Sequence, residues 1–189
     1  MAPHLTHHSA MCTKYAWTLD PSHSKLAFKV RYMILGVITG EFRHFGGTVM
    51  STDAFEDMEL DISVDVRSMN TFHQQRDQGI LSAGCFDADS WPVIRFVSTG
   101  FRRISSGGLF EGRGLLTIRG IGVPLEMMAS LASFNAEPVF TFSGNLYRSD
   151  FGLGGPATPE QDHVADEVNF FGEARLRRHS PSFRSFAGG

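Results

Sequence analysis

Between residues 25 and 32 the chain reads KLAFKVRY, with Leu26, Phe28, Val30 and Tyr32 on one side of an extended backbone and Lys25, Lys29 and Arg31 on the other. Successive side chains of a strand point to opposite faces, so this alternation predicts a strand half-buried on one face. FEDMELDISVDVRS, residues 55–68, repeats the pattern, with Met58, Leu60, Ile62, Val64 and Val66 set against Asp57, Glu59, Asp61, Asp65 and Arg67. A helix would scatter those apolar residues around its axis. Further strands are predicted over 15–19, 37–42, 47–51, 93–102, 109–119, 123–133, 139–147 and 164–176. Turn-forming runs such as ISSGGLF and TIRGIGVP punctuate them. Short connections make the sheet antiparallel. Gly112 and Gly114 fall on one face of a strand, where glycine lets the strand bend or a neighbour approach closely.

Two stretches break the alternation. TFHQQRDQGILSA, residues 71–83, predicts a short helix starting near Asn70 or Thr71, with Phe72, Ile80 and Leu81 on its covered side and Gly79 as its weak point. GLGGPATPEQDHV, residues 152–164, reads as a long surface loop. In LDPSHS, residues 19–24, Pro21 presets a turn, and Asp20, Ser22 and His23 are expected to bond nearby backbone amides, so His23 reads as a structural peg. Residues 1–13 and 179–189 have no period and read as disordered arms flanking one domain over 14–178.

Many antiparallel strands with one apolar face either pack as two sheets or close into a barrel. About eight strands closed on themselves leave room for one small ligand. The 17 phenylalanines favour a barrel with an apolar interior, although the period alone does not exclude a sandwich.

Charge narrows the partners. With 17 basic and 20 acidic residues the net charge is -3, which gives no electrostatic footprint for nucleic acid. The one basic cluster, Arg175, Arg177, Arg178 and His179, reads as a solvated strand end. No run approaches the ~18 apolar residues of a spanning helix, so no integral membrane association is expected. The first twenty residues lack an apolar core after a basic start, which leads to a cytoplasmic expectation.

Candidate chemistry is sparse. His4, His7 and His8 sit on a terminal arm, while His23, His44, His73 and His163 lie in separate segments without ligand spacing, so no metal is expected. His73 and Asp77 fit a surface hydrogen bond along the helix. Cys85 reads as a buried, inert thiol, and a disulfide with Cys12 is not expected. No GxSxG or P-loop occurs, and the paired acids fall on the face opposite the apolar stripe. Neither catalytic residue nor cofactor is expected.

Five phrases nevertheless fall in a recognisable order: WTLDPSHSKLAFKVRYMILG with TGEFRHFGGTV, RDQGILSAGCFDADSWPVIRFVSTG, LTIRGIGVPLEM, RSDFGL and DEVNF. Together they resemble the YceI-like family over roughly residues 15–177. The resemblance implies an all-β fold, an antiparallel, extended lipocalin-like β-barrel with one short helix. It also implies a long apolar molecule, a polyisoprenoid or a fatty-acid-like lipid, held inside as by a carrier or reservoir. No catalytic activity is tied to that fold. Some relatives accompany electron-transport or stress functions, and the relatives together with sheet edges and arms suggest a homodimer. Where the family usually has His this chain has Tyr32. It also lacks the family's His near Gly79 and has Gly84 and Cys85 in place of an Asp followed by an aromatic. These departures bear on a ligand's head group and leave the apolar tunnel intact. Residues expected to line the tunnel are Phe28, Val30, Tyr32, Leu60, Ile62, Val64, Phe96, Leu116, Ile118, Phe140, Phe142 and Phe170. Two other readings stay open: an enzyme on a lipid-like substrate using Tyr32, His23, Arg76 or Asp77, and a solidly packed interaction module.

Overall fold

The structure is a computed structural model, and it describes residues 14–32, 36–52, 55, 57–134, 137–154 and 163–179. The arm at 1–13, most of the tail and most of the loop over 152–164 lie outside the described residues.

Strands β1 (Tyr15–Leu19), β2 (Lys25–Tyr32), β3 (Gly36–Phe42), β4 (Phe45–Ser51), β5 (Glu59–Asp65), β6 (Met69–Asn70), β7 (Val93–Arg103), β8 (Leu109–Ile118), β9 (Ile121–Ser133), β10 (Val139–Tyr147) and β11 (Val164–Arg178) form one sheet. The order is β1-β4-β5-β7-β8-β9-β10-β11-β2-β3-β6, and a further β1–β11 pairing closes it into an eight-stranded antiparallel barrel. Closure leaves β6, at the end of that order, as a short free edge. The barrel replaces the sandwich alternative because every apolar stripe turns to one interior. Along β2, Leu26, Phe28, Val30 and Tyr32 face inward as the alternation predicts.

The barrel has a corner. Three neighbouring strands break at one level: β1 gives way to β2 at Pro21–His23, β3 to β4 at Arg43 and His44, and β5 to β6 at Val66–Ser68. Strand β11 runs unbroken past the first break, where the Asp20 amide donates to the Arg175 carbonyl (2.9 Å) and the Arg175 amide to Ser24 Oγ (2.9 Å). The break is held by a buried carboxylate. Asp20 accepts from the Ser22 amide (3.1 Å), from His23 Nδ1 (2.7 Å) and from Arg177 Nη2 (2.8 Å). His23 therefore bonds a carboxylate and not, as expected, a backbone amide; it lies more than half exposed, and Asp20 is the buried hub.

The basic cluster after residue 174 is a paired strand end. Arg177 also reaches Glu137 (3.2 Å), and the Arg178 guanidinium stacks over Tyr15 (3.8 Å). His179, placed in the tail by sequence, still donates from its amide to the Ala16 carbonyl. On the exterior, Asp61 takes a bidentate contact from Arg95 (2.9 and 2.6 Å) that ties β5 to β7. Its pKa is lowered first by that hydrogen bonding.

The one α-helix among the described residues, α1 (Gln74–Leu81), begins later than the sequence predicts. Its cap is His73, whose Nδ1 accepts from the Arg76 amide (3.3 Å). The expected His73–Asp77 side-chain bond does not form, because Asp77 Oδ1 accepts from the Thr71 amide (3.0 Å) and hydroxyl. Phe72 lies before the helix at positive φ, 63°, and 69% exposed, so it covers nothing; Ile80 and Leu81 are the residues that turn toward the barrel. The β8–β9 hairpin turns on Arg119 and Gly120, both at positive φ (51° and 73°), the backbone of a type I′ turn.

Candidate functional site

The barrel interior holds a cavity of about 930 Å³. That lies in the upper part of the ~300–1,000 Å³ range of small-molecule sites. Every residue expected to line the tunnel lies on its wall: Phe28, Val30 and Tyr32 from β2, Leu60, Ile62 and Val64 from β5, Phe96 from β7, Leu116 and Ile118 from β8, Phe140 and Phe142 from β10, and Phe170 from β11. Sequence reasoning missed wall residues of two kinds: Leu26 and Met58 on the predicted stripes, and others that do not sit on clean alternations. Among them are Phe86, Leu153 and Cys85 in turns, Ile80 on the helix and Arg148 at the end of β10.

An interior so rich in phenylalanine would fill if the rings pointed to its axis. They lie flat instead. The Phe28 ring covers Gly40, Phe101 covers Gly112, Phe96 covers Gly114, Phe170 covers Gly144 and Phe142 covers Gly172, each so closely that a Cβ on the glycine would come within 2.3–2.6 Å of a ring carbon. All but the Phe96 pair are directly opposed across neighbouring strands. Glycine leaves the floor on which each ring is laid. This is the role the spacing of Gly112 and Gly114 anticipates, extended around the barrel.

The two ends of the barrel differ. At the end away from α1, Trp17, Phe55, Phe101, Phe110 and Phe140 join Val49, Met58, Ala129 and Leu176 in a buried cluster. Phe55 meets Phe140 edge-on at 5.1 Å and Phe110 meets it at 5.8 Å, so aromatic rings close that end. At the other end α1 and the following turn, in which the Phe86 amide donates back to the Ile80 carbonyl (2.9 Å), lie across the barrel. The wall is apolar except at this end, which carries Tyr32, His73, Gln75, Arg76, Cys85 and Arg148. The departures from the family pattern gather here too, since Tyr32, Gly79 and Cys85 all line it.

Burial first pushes the Cys85 thiol up, with the charges of Arg148 and Arg119 pulling less strongly the other way. The residues named for a possible enzyme do not assemble. Tyr32 and Arg76 share the wall, Asp77 is engaged by Thr71, and His23 is tied to Asp20. Among the described residues no His, Cys, Asp and Glu cluster could hold a metal ion.

Fold and cavity define a class: an up-and-down β-barrel that encloses an apolar chamber. The chain belongs to the YceI-like family, whose domain matches residues 17–174. It is 28% identical over 161 residues to a UPF0312 protein of Pseudomonas putida strain F1, covering 80% of this chain and 82% of that one. A UPF0312 protein of Photorhabdus laumondii is 23% identical over 164 residues, covering 82% and 84%. Among solved structures, BcnA of Burkholderia cenocepacia superposes with a TM-score of 0.76 at 23% identity, over 83% of this chain and 98% of that one. A polyisoprenoid binding domain from Saccharophagus degradans superposes with a TM-score of 0.69 at 15% identity, over 87% and 99%. At those identities the superpositions establish the shared fold.

Proposed function

We propose that this protein binds a long apolar molecule, a polyisoprenoid or fatty-acid-like lipid, inside its barrel and acts as its carrier or reservoir. The observation that supports this reading is the chamber itself. A solidly packed module would have its aromatic rings in the lumen, whereas here glycines let them lie against the wall. The Saccharophagus degradans domain of the same fold, described as polyisoprenoid binding, lends support by likeness.

The driving force is burial. A tail of about 16 methylenes gains roughly 12 kcal/mol gross at ~0.8 kcal/mol each, before the cost of immobilising it. Solvent extraction of the purified protein followed by mass spectrometry is expected to release one long-chain molecule per barrel. If none is found, and the protein also takes up neither added prenols nor added fatty acids, the proposal fails.

A further inference from the structure

The polar end of the cavity carries a net charge. Arg76 and Arg148 lie on the wall, and among the described residues no Asp or Glu does. A guanidinium stays protonated at any ordinary pH, and a cation removed from water is normally paired.

Arg148 is not so paired. Its Nε is out of solvent and has no hydrogen-bond partner, and its guanidinium makes no ion pair with a described residue. Asp166 feels its charge but forms no ion pair with it; the Asp166 oxygens accept from the amide (2.8 Å) and hydroxyl (2.6 Å) of Ser149. Arg76 is held for presentation. Its Nε donates to Thr71 Oγ1 (2.7 Å) and its Nη2 to the Thr71 carbonyl (2.7 Å), while Nη1 has no partner among the described residues. Thr71 is fixed in turn by Asp77.

We infer that the α1 end of the cavity is an oxyanion site, in which Arg148 and Arg76 hold the carboxylate or phosphate of a ligand whose apolar tail runs toward the aromatic end. This rests on the carrier function proposed above. The planar fork of a guanidinium matches two oxygens of a carboxylate or phosphate, and a charge-assisted bond in a water-poor site is among the strongest a protein makes. A neutral alcohol would gain the same tail burial and leave both cations unpaired.

The test is calorimetric titration of the delipidated full chain with matched pairs, palmitate against hexadecanol and farnesyl phosphate against farnesol. The anion of at least one pair is expected to bind about ten- to hundredfold more tightly, and which pair shows the gap tells carboxylate from phosphate. R148Q should close most of that gap while leaving the alcohol's affinity and the melting temperature unchanged, and R148K should recover part of it. Equal binding of anions and alcohols by the unaltered protein, or an equal loss of both in R148Q, overturns the oxyanion site and leaves the carrier function standing. Failure of all four compounds to bind overturns the oxyanion site, and it overturns the carrier function as well if solvent extraction also releases no long-chain molecule.

Discussion

The two ends of the barrel are built from different material. The aromatic end is closed by interlocking rings, with Phe110 and Phe55 almost wholly buried, and its cluster draws on β1, β4, β7, β8, β9, β10 and β11. The α1 end is covered by a helix with no fully buried residue, held in part by the Thr71, Arg76 and Asp77 network. Close-packed aromatic clusters resist opening, whereas segments with few buried contacts open at low cost. If the barrel carries a ligand as proposed above, the contrast leaves the stability of the fold with one end and the ligand's passage with the other.

The largest effect should come from cutting into the aromatic end. Phe110→Ala removes a fully buried ring and is expected to cost about 3–5 kcal/mol in urea unfolding. At roughly 2–4 °C per kcal/mol for a domain of this size, the melting temperature should fall by about 10 °C. Ile80→Ala, in the half-buried cover, should cost less than about 1 kcal/mol. Comparable losses in the two variants would break the division.

The glycine floors sharpen the comparison. An Ala methyl at Gly112 would strike the Phe101 ring, which is packed into the aromatic cluster, so overpacking of about 1–3 kcal/mol is expected. The same change at Gly40 would strike the Phe28 ring, but that ring is only half-buried and lies outside the aromatic cluster. Gly40→Ala should therefore cost little stability and narrow the lumen, weakening a branched isoprenoid more than a linear acyl chain. Equal affinity of Gly40→Ala and the unaltered protein for both ligands would show that the floors do not set the bore.

What the sequence showed and what it hid follow the same physical line. Strand faces were legible because alternation is local: a ring such as Phe28 or Phe142 announces its side by its neighbours. The corner was not legible beyond its first turn. Met58 through Val66 alternate without a break, yet the strand ends at Asp65 and Val66 begins a single 3-10 turn, because Asp65 accepts from the Arg67 amide. The cover starts later than its pattern predicts, since capping by His73 rather than a start near Asn70 or Thr71 leaves Phe72 outside the helix. Arg148 opens the RSDFGL phrase, but nothing in that phrase signals a place on the cavity wall. Its position at the cavity comes from where β10 stops, which depends on the whole barrel.

At the boundary between the two ends sits Asp20. Burial works to raise its pKa, but hydrogen bonds from His23 and the Ser22 amide, with the charge of Arg177, outweigh it and hold the carboxyl below its ordinary range. An unfolded Asp titrates near ~3.9. A carboxyl lowered on folding contributes stability that is complete above the unfolded value and is lost as pH falls through the folded one. Asp20→Asn should accordingly lower the melting temperature by a few degrees at pH 7, with the gap to the unaltered protein shrinking below pH 4. A gap that persists undiminished at pH 2 would mean that the carboxylate's charge is not what joins β1 to β2.

The smallest effect concerns Cys85, which reports on the cover without perturbing it. With Cys12 replaced by Ser, Cys85 is the only remaining thiol, because the chain has 2 cysteines. Its thiol is raised by burial, so less of it is thiolate at neutral pH than in an exposed cysteine, and the thiolate is the form that reacts. Alkylation by iodoacetamide, followed by intact mass, should be slower than for an unfolded control and slower again once the chamber is filled, because Cys85 lies on the wall. If α1 lifts readily to admit a ligand, Ile80→Ala should speed the labelling of the empty protein while Phe110→Ala, under conditions where it stays folded, should not. The opposite order would place the gate at the aromatic end.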